Sequence, residues 1–239
     1  MQQKNKKILK AVMAVVLLEC MLLLSKQAAT VVPSSSDSIK DSWDKGQKLV
    51  VIDAGHGGID PGKIGVNQVK EKDINLQIAL KVKKYLEAGD IQVTMIREED
   101  KGLYEATDSN KKVTDMRKRV DMIDASGADV AVSIHQNSYQ TENVKGAQVF
   151  YYKSSPAGKD MAMTMQATLI ELLKPEKERE AKQNDSYYLL KKTSTPTIIV
   201  ECGFLSNWQE AKALSGDSYQ DRVAWAIAMG IKRYLNGIK

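Results

Sequence analysis

The sequence predicts an α/β domain built on a mostly parallel sheet with both faces covered. Three observations carry that expectation. Short apolar, β-branched runs alternate with longer segments of helical period, the order that produces parallel strands joined by crossover helices. The first run, in "KLVVIDAGHGG", is apolar almost without interruption from Leu49 to Ile52, as a strand buried on both faces should be. Residues able to do chemistry gather where apolar runs stop: His56, His135 and Glu201. In open α/β sheets, ligands bind beyond the carboxyl ends of the strands.

The elements follow in order. After the first strand, "KDINLQIALKVKKYLEA" reads as a helix, with Ile74, Ile78, Val82 and Tyr85 along one stripe. "IQVTMIR" is β-rich and alternating, hence the second strand. "VTDMRKRVDMIDAS" is a helix ending near Gly127, and "ADVAVSIH" is the third strand. "GAQVFYY" makes a fourth strand, and "GKDMAMTMQATLIELLK" a long helix that stops at Pro175. "TIIVECGF" is the fifth and last strand, and "YQDRVAWAIAMGIKRYLN" closes the chain as a helix. The polar, aperiodic stretch from Asp100 to Lys112 leaves a strand end; it reads either as a solvated loop or as one wall of a substrate groove.

Residues 1–26 differ from the rest. A lysine-rich start, "MQQKNKKILK", precedes "AVMAVVLLECMLLLS", apolar apart from Glu19. This pattern reads as a secretory signal or an uncleaved signal-anchor, and either one exports the domain behind it. Residues 27–46 are Ser/Asp/Lys-rich and read as a linker, and residues 47–239 as the folded domain that carries the candidate site residues. The expected location is the cell envelope. An exported chain then holds one cysteine, Cys202, so no intramolecular disulfide forms.

The net charge of +5 belongs to the leader. Five lysines and one acid lie in the first 26 residues, which leaves 30 basic and 29 acidic residues beyond them, a net of +1. No basic stripe marks a nucleic-acid surface, and contact with a membrane is expected only through the N-terminal segment.

The chain has two histidines. His56 lies among glycines, which allow tight turns and close approach. In "SIHQN", a strand period of two puts Ser133, His135 and Asn137 on one face. Two neutral imidazoles, a carboxylate and one open position make a catalytic zinc site. Asp53, Asp60, Glu71 and Asp73 are the candidates for the carboxylate, and Glu71 opens the first helix just after a loop that can return to the strand ends. The alternative is that both histidines are ordinary turn and core residues. Glu201 ends an apolar strand, where a carboxylate is costly unless paired. It is either the partner of a Lys or Arg, or a general base with a pKa raised by burial. Its strand-end position favours the base. Cys202 must point the other way, into the core.

"VIDAGHGGIDPG", "KEKDINLQIALKV", "SIHQNS" and "TIIVECGFLSN", in that order, closely resemble the zinc-dependent N-acetylmuramoyl-L-alanine amidases over about Lys48 to Asn236. The resemblance implies a three-layer α/β/α sandwich around a mixed sheet. It implies that His56, Glu71 and His135 bind Zn2+ and that Glu201 is the catalytic glutamate. The implied reaction is hydrolysis of the amide between the lactyl group of N-acetylmuramic acid and L-alanine of the peptidoglycan stem peptide. Gln136 departs from the alanine often found there, a change that bears on the metal site. A lone domain behind a leader looks most like the branch that acts on spore cortex, on the route to muramic-δ-lactam. The family also permits a secreted or lipoprotein activator. Two rival readings are a zinc peptidase cutting within the stem peptide and a non-catalytic wall-binding protein.

Overall fold

The computed structural model describes residues 47–238. The leader and linker lie outside them. Among the described residues no helix is long and apolar enough to cross a membrane.

Six strands form one sheet in the order β2-β1-β3-β6-β4-β5. They are β1 (Leu49–Ala54), β2 (Gln92–Met95), β3 (Val130–Asn137), β4 (Gln148–Tyr152), β5 (Lys182–Asn184) and β6 (Thr197–Phe204). β2, β1, β3 and β6 run parallel; β4 is antiparallel to β6, and β5 is parallel to β4. The expected mixed, mostly parallel sheet is therefore present, with one strand more than the sequence pattern predicts. The extra strand, β5, is the three residues "KQN" on the sheet edge. So short and polar a segment carries neither alternation nor β-branched content, and its position comes from pairing with β4.

Helices cover both faces. α1 (Glu71–Glu87), α3 (Pro156–Leu173) and α6 (Asp217–Leu235) pack side by side on one face. The core lies between them and the inward residues Val50, Ile52, Val132, Ile134, Val149, Ile198 and Val200. Each such aliphatic side chain contributes roughly 1.5–3 kcal/mol when fully buried. On the other face, α2 (Lys111–Ala125) and the short α4 (Tyr188–Lys192) cover two smaller clusters around Val51, Ala131 and Ile123, and around Phe150, Leu190 and Ile199. This is a three-layer sandwich. Cys202 lies buried in the larger core, as expected.

Local chemistry sets the ends. The Asn110 side chain accepts from the Val113 N–H, so α2 starts two residues before the predicted helix. Ser155 caps α3, Pro156 begins it, and Lys174 ends it in a left-handed conformation just before Pro175. α4 and α5 (Trp208–Leu214) were not legible from periodicity, being five and seven residues long. Tyr85 completes the α1 stripe: its ring meets Trp225 of α6 edge-on and its hydroxyl donates to Asp221 at 2.7 Å.

Candidate metal centre and active site

The sheet topology opens a crevice. The chain leaves β1 toward β2 on one side and returns to β3 on the other, and such a switch point leaves a gap at the carboxyl ends. His56 lies just past the end of β1, and His135 near the end of β3. Glu201 of β6 is the direct cross-strand partner of His135, and the β3–β6 register breaks immediately afterwards. A bulge there bends the strand and re-aims side chains.

The loop after β1 brings the third residue in. The Glu71 N–H donates to the Lys63 carbonyl and the Lys72 N–H to the Pro61 carbonyl, while Gly57 pairs with Asp60 and Ile64 with Lys70. The start of α1 is thereby tied back to the strand ends. The ligand atoms of His56, Glu71 and His135 lie within 4.8 Å of one another. His135 Nδ1 is 2.9 Å and His56 Nε2 3.2 Å from the same oxygen, Glu71 Oε1. The two rings meet edge-on at 4.9 Å.

This donor set fits a zinc ion. Ligand atoms around tetrahedral zinc sit about 3.3 Å apart when the metal–ligand bonds are near 2.0–2.1 Å, close to the 2.9 and 3.2 Å that separate the two imidazoles from Glu71 Oε1. Glu71 is only 2% exposed, and among the described residues no lysine or arginine pairs with it. Burial alone would raise its pKa; the imidazoles of His135 and His56 outweigh burial and hold the carboxyl below its usual range. A buried carboxylate between two imidazoles is the arrangement a divalent cation completes.

The other candidate carboxylates have different work. Asp60 Oδ2 lies 2.9 Å from His56 Nδ1, so it orients the ring and leaves Nε2 toward Glu71. Asp53 accepts from Arg119 Nη1 at 2.5 Å and from Ser133 Oγ at 2.6 Å. Asp73 is exposed on α1. Of the four, Glu71 alone joins both histidines.

Two glycines make the room. A Cβ on Gly55 would meet the His135 ring at 2.2 Å. Gly62, at φ +68°, would place one 2.6 Å from Glu71 Oε2. His56 itself adopts φ 62°, a conformation that is strained for a side chain with a Cβ. Its carbonyl accepts from Arg119 Nη2 at 2.6 Å. The neighbouring Ala54 and Gly55 carbonyls accept from the buried Arg97. Two buried arginines therefore pin the histidine loop. Gln136 lies behind the site: its N–H donates to Glu71 Oε1 and its amide to Asn75 Oδ1. Its departure from alanine thus reaches the metal site through α1, leaving the ligand set intact.

Above these residues opens a cavity of about 690 Å3, lined by the three candidate ligands and by Glu201, Tyr104, Lys112, Tyr187 and Tyr188 among others. Glu201 has no lysine or arginine partner among the described residues, so the ion-pair alternative falls away. It is buried, its Oε2 has no hydrogen-bond partner among the described residues, and its Oε1 lies 3.5 Å from the Tyr187 hydroxyl. Burial pushes its pKa up to about 7, which suits a group that takes and returns a proton near neutral pH. Tyr104 and Lys112, from the 100–112 stretch, line this cavity, a placement that the groove reading requires. Tyr187 and Arg119 were not singled out from sequence. Tyr187 precedes a helix too short to show a period, and Arg119 is one of several charges in "DMRKRVD", where nothing in the sequence separates it from its neighbours.

Residues 50–233 match the family model described as N-acetylmuramoyl-L-alanine amidase, and the chain belongs to that family. Its members hydrolyse peptidoglycan, and this chain is an amidase of that kind. It is 38% identical over 205 residues to the germination-specific N-acetylmuramoyl-L-alanine amidase of Bacillus subtilis, covering 82% of this chain and 86% of that one. Among solved structures it is similar to the CwlD amidase from Clostridioides difficile in complex with the GerS lipoprotein, with TM-score 0.77 and 38% identity over 80% of this chain and 100% of that one. The catalytic domain of CwlV from Bacillus (Paenibacillus) polymyxa gives TM-score 0.70 and 32% identity, over 80% and 99%.

Proposed function

We propose that the chain is a zinc-dependent amidase acting on spore-cortex peptidoglycan, with His56, Glu71 and His135 as ligands and Glu201 as catalytic base. The observation that carries the site assignment is the buried Glu71 carboxylate shared by two imidazoles beside a cavity, with Glu201 in register with His135. When bound, zinc supplies Lewis acidity, polarising the amide carbonyl and letting water attack near neutral pH. Glu201 takes the proton from the attacking water and returns it to the L-alanine nitrogen as the C–N bond breaks. Asp60 and Arg119 hold His56 in place through its Nδ1 and its carbonyl. The products are a muramic acid with a free lactyl carboxyl, the precursor that δ-lactam formation requires, and a peptide with a free N-terminal alanine.

The germination-specific role named for the Bacillus subtilis relative supports a substrate in the spore wall, and the GerS lipoprotein named with the CwlD amidase supports a lipoprotein partner. A partner that binds only the metal-competent form raises zinc affinity by the factor by which zinc raises partner affinity. Export rests on the 1–26 leader pattern. The base assignment is tested by Glu201→Gln, which keeps the side-chain shape without the basic oxygen. The variant should fold, keep its zinc and lose nearly all turnover. Loss of zinc as well would make Glu201 a ligand and reopen Glu71.

A further inference from the structure

Tyr187 lies at the cavity wall with its hydroxyl facing Glu201, and no role for it follows from the ligand set or from the base. Among the described residues, its hydroxyl is the one side-chain hydrogen-bond partner of Glu201, at 3.5 Å from Oε1. Glu201 is buried, and among the described residues its Oε2 has no hydrogen-bond partner, so the Tyr187 hydroxyl is the one side-chain polar group placed to orient the carboxylate.

The tyrosine is itself held from three sides. Its ring meets that of Phe150 edge-on at 5.5 Å and 72°. Its backbone N–H donates to Asn184 Oδ1 at 2.8 Å, which ties it to the end of β5. It also precedes α4, whose Leu189 and Leu190 are buried. The short edge strand thus carries a rigid mount for one phenol. Phe150 comes from β4, which pairs with β6 opposite Glu201 through Gln148. Base and phenol are therefore tied to one sheet: Glu201 lies on β6, and Tyr187 packs on Phe150 of β4 and is bonded to Asn184 of β5.

We infer that Tyr187 is a positioning residue for the amidase reaction: its hydroxyl donates to Glu201 and fixes the carboxylate in the orientation that accepts the proton from water. The inference rests on Glu201 being the base. Fixing a reacting group in place contributes to kcat rather than to substrate binding, and losing an orienting partner typically lowers activity roughly 10- to 100-fold. Tyr234, on α6 and outside the lining of the cavity, makes no hydrogen bond to Glu201 and serves as the internal control.

The test compares Tyr187→Phe, Tyr234→Phe and Glu201→Gln on defined muropeptides, with zinc content and melting temperature measured on each. Tyr187→Phe should lose about 10- to 100-fold in kcat with KM within about twofold. It should keep its zinc and melting temperature, and the acid limb of its kcat profile should move to higher pH, because the ionised carboxylate has lost a donor. Tyr234→Phe should match wild type. An unchanged kcat in Tyr187→Phe beside an inactive Glu201→Gln would overturn the inference and leave the base intact. Loss of zinc or of folding in Tyr187→Phe would make the hydroxyl structural and overturn it equally. An active Glu201→Gln would instead remove the base on which the inference stands.

Discussion

His135 and Glu201 are direct cross-strand partners on the parallel strands β3 and β6, one residue before the register breaks. A candidate metal ligand and a candidate base thus share one rung of a buried sheet, and their separation is set by backbone pairing rather than by a loop. The two roles should separate on mutation. His135→Ala should lose most of its zinc while the sheet stays folded, as read by metal analysis and circular dichroism. Undiminished zinc in that variant would take His135 out of the site.

Asp60 should matter to metal binding without touching the metal. Its carboxylate orients His56 from Nδ1. Asp60→Asn should weaken zinc affinity by roughly 10- to 100-fold, measured by chelator competition, with little change in melting temperature. Wild-type affinity would mean that the loop geometry alone orients the ring.

Room for the ligands comes from absent side chains. Gly62→Ala places a methyl 2.6 Å from Glu71 Oε2 at a backbone φ of +68°, a conformation that costs about 1–2 kcal/mol with a Cβ. Gly55→Ala forces the His135 ring aside. Both variants should purify folded with substoichiometric zinc. A fully loaded Gly62→Ala protein would show that the loop can relax around the added methyl.

The pH dependence of stability should follow Asp53. Burial alone would raise its pKa, but Arg119 and the Ser133 hydroxyl hold it below the ordinary 3.8. A folded-state pKa below the unfolded one means that the stabilisation is present above about pH 4 and is lost as pH falls through and below that value. Asp53→Asn leaves the buried Arg119 charge short of its partner and should cost about 3–5 kcal/mol at neutral pH. It should also flatten the acid limb of stability below about pH 4 in urea unfolding. Equal stability of variant and wild type at neutral pH would contradict this.

Most of this architecture was legible because burial writes itself into the sequence. β1, β3 and β6 are apolar runs between glycines and polar loops, and α1, α3 and α6 carry apolar residues at helical spacing along their whole length. The site residues were legible because polar side chains at the ends of such runs have few structural reasons to be there. What stayed hidden has a physical cause. β5 and α4 take their conformation from neighbours rather than from local pattern. Arg119 is a charge among charges along the α2 sequence, and only the folded chain reveals that it is buried against Asp53 and the His56 carbonyl. Asp60, one of four carboxylates open as ligands, acquired its orienting role only once the turn closed Gly57 onto it.

The 100–112 wall should affect substrate more than fold. The Tyr104 hydroxyl accepts from the Ile59 N–H, and Asp100 accepts from Gly58 N–H and Lys72 Nζ, so the wall is fastened to the histidine loop. Tyr104→Ala should raise KM by about tenfold, the scale of one lost contact of about 1.4 kcal/mol. Unchanged kinetics on peptidoglycan fragments would return this stretch to a plain solvated loop.

The most direct test of the amidase mechanism is mass spectrometry of peptidoglycan fragments after incubation with the zinc-loaded protein and with its Glu201→Gln variant. The wild-type protein should release intact stem peptides bearing a free N-terminal alanine and leave glycan with unsubstituted lactyl groups, and the variant should release almost none. Peptides cut within the stem, or equal release by the variant, would contradict it.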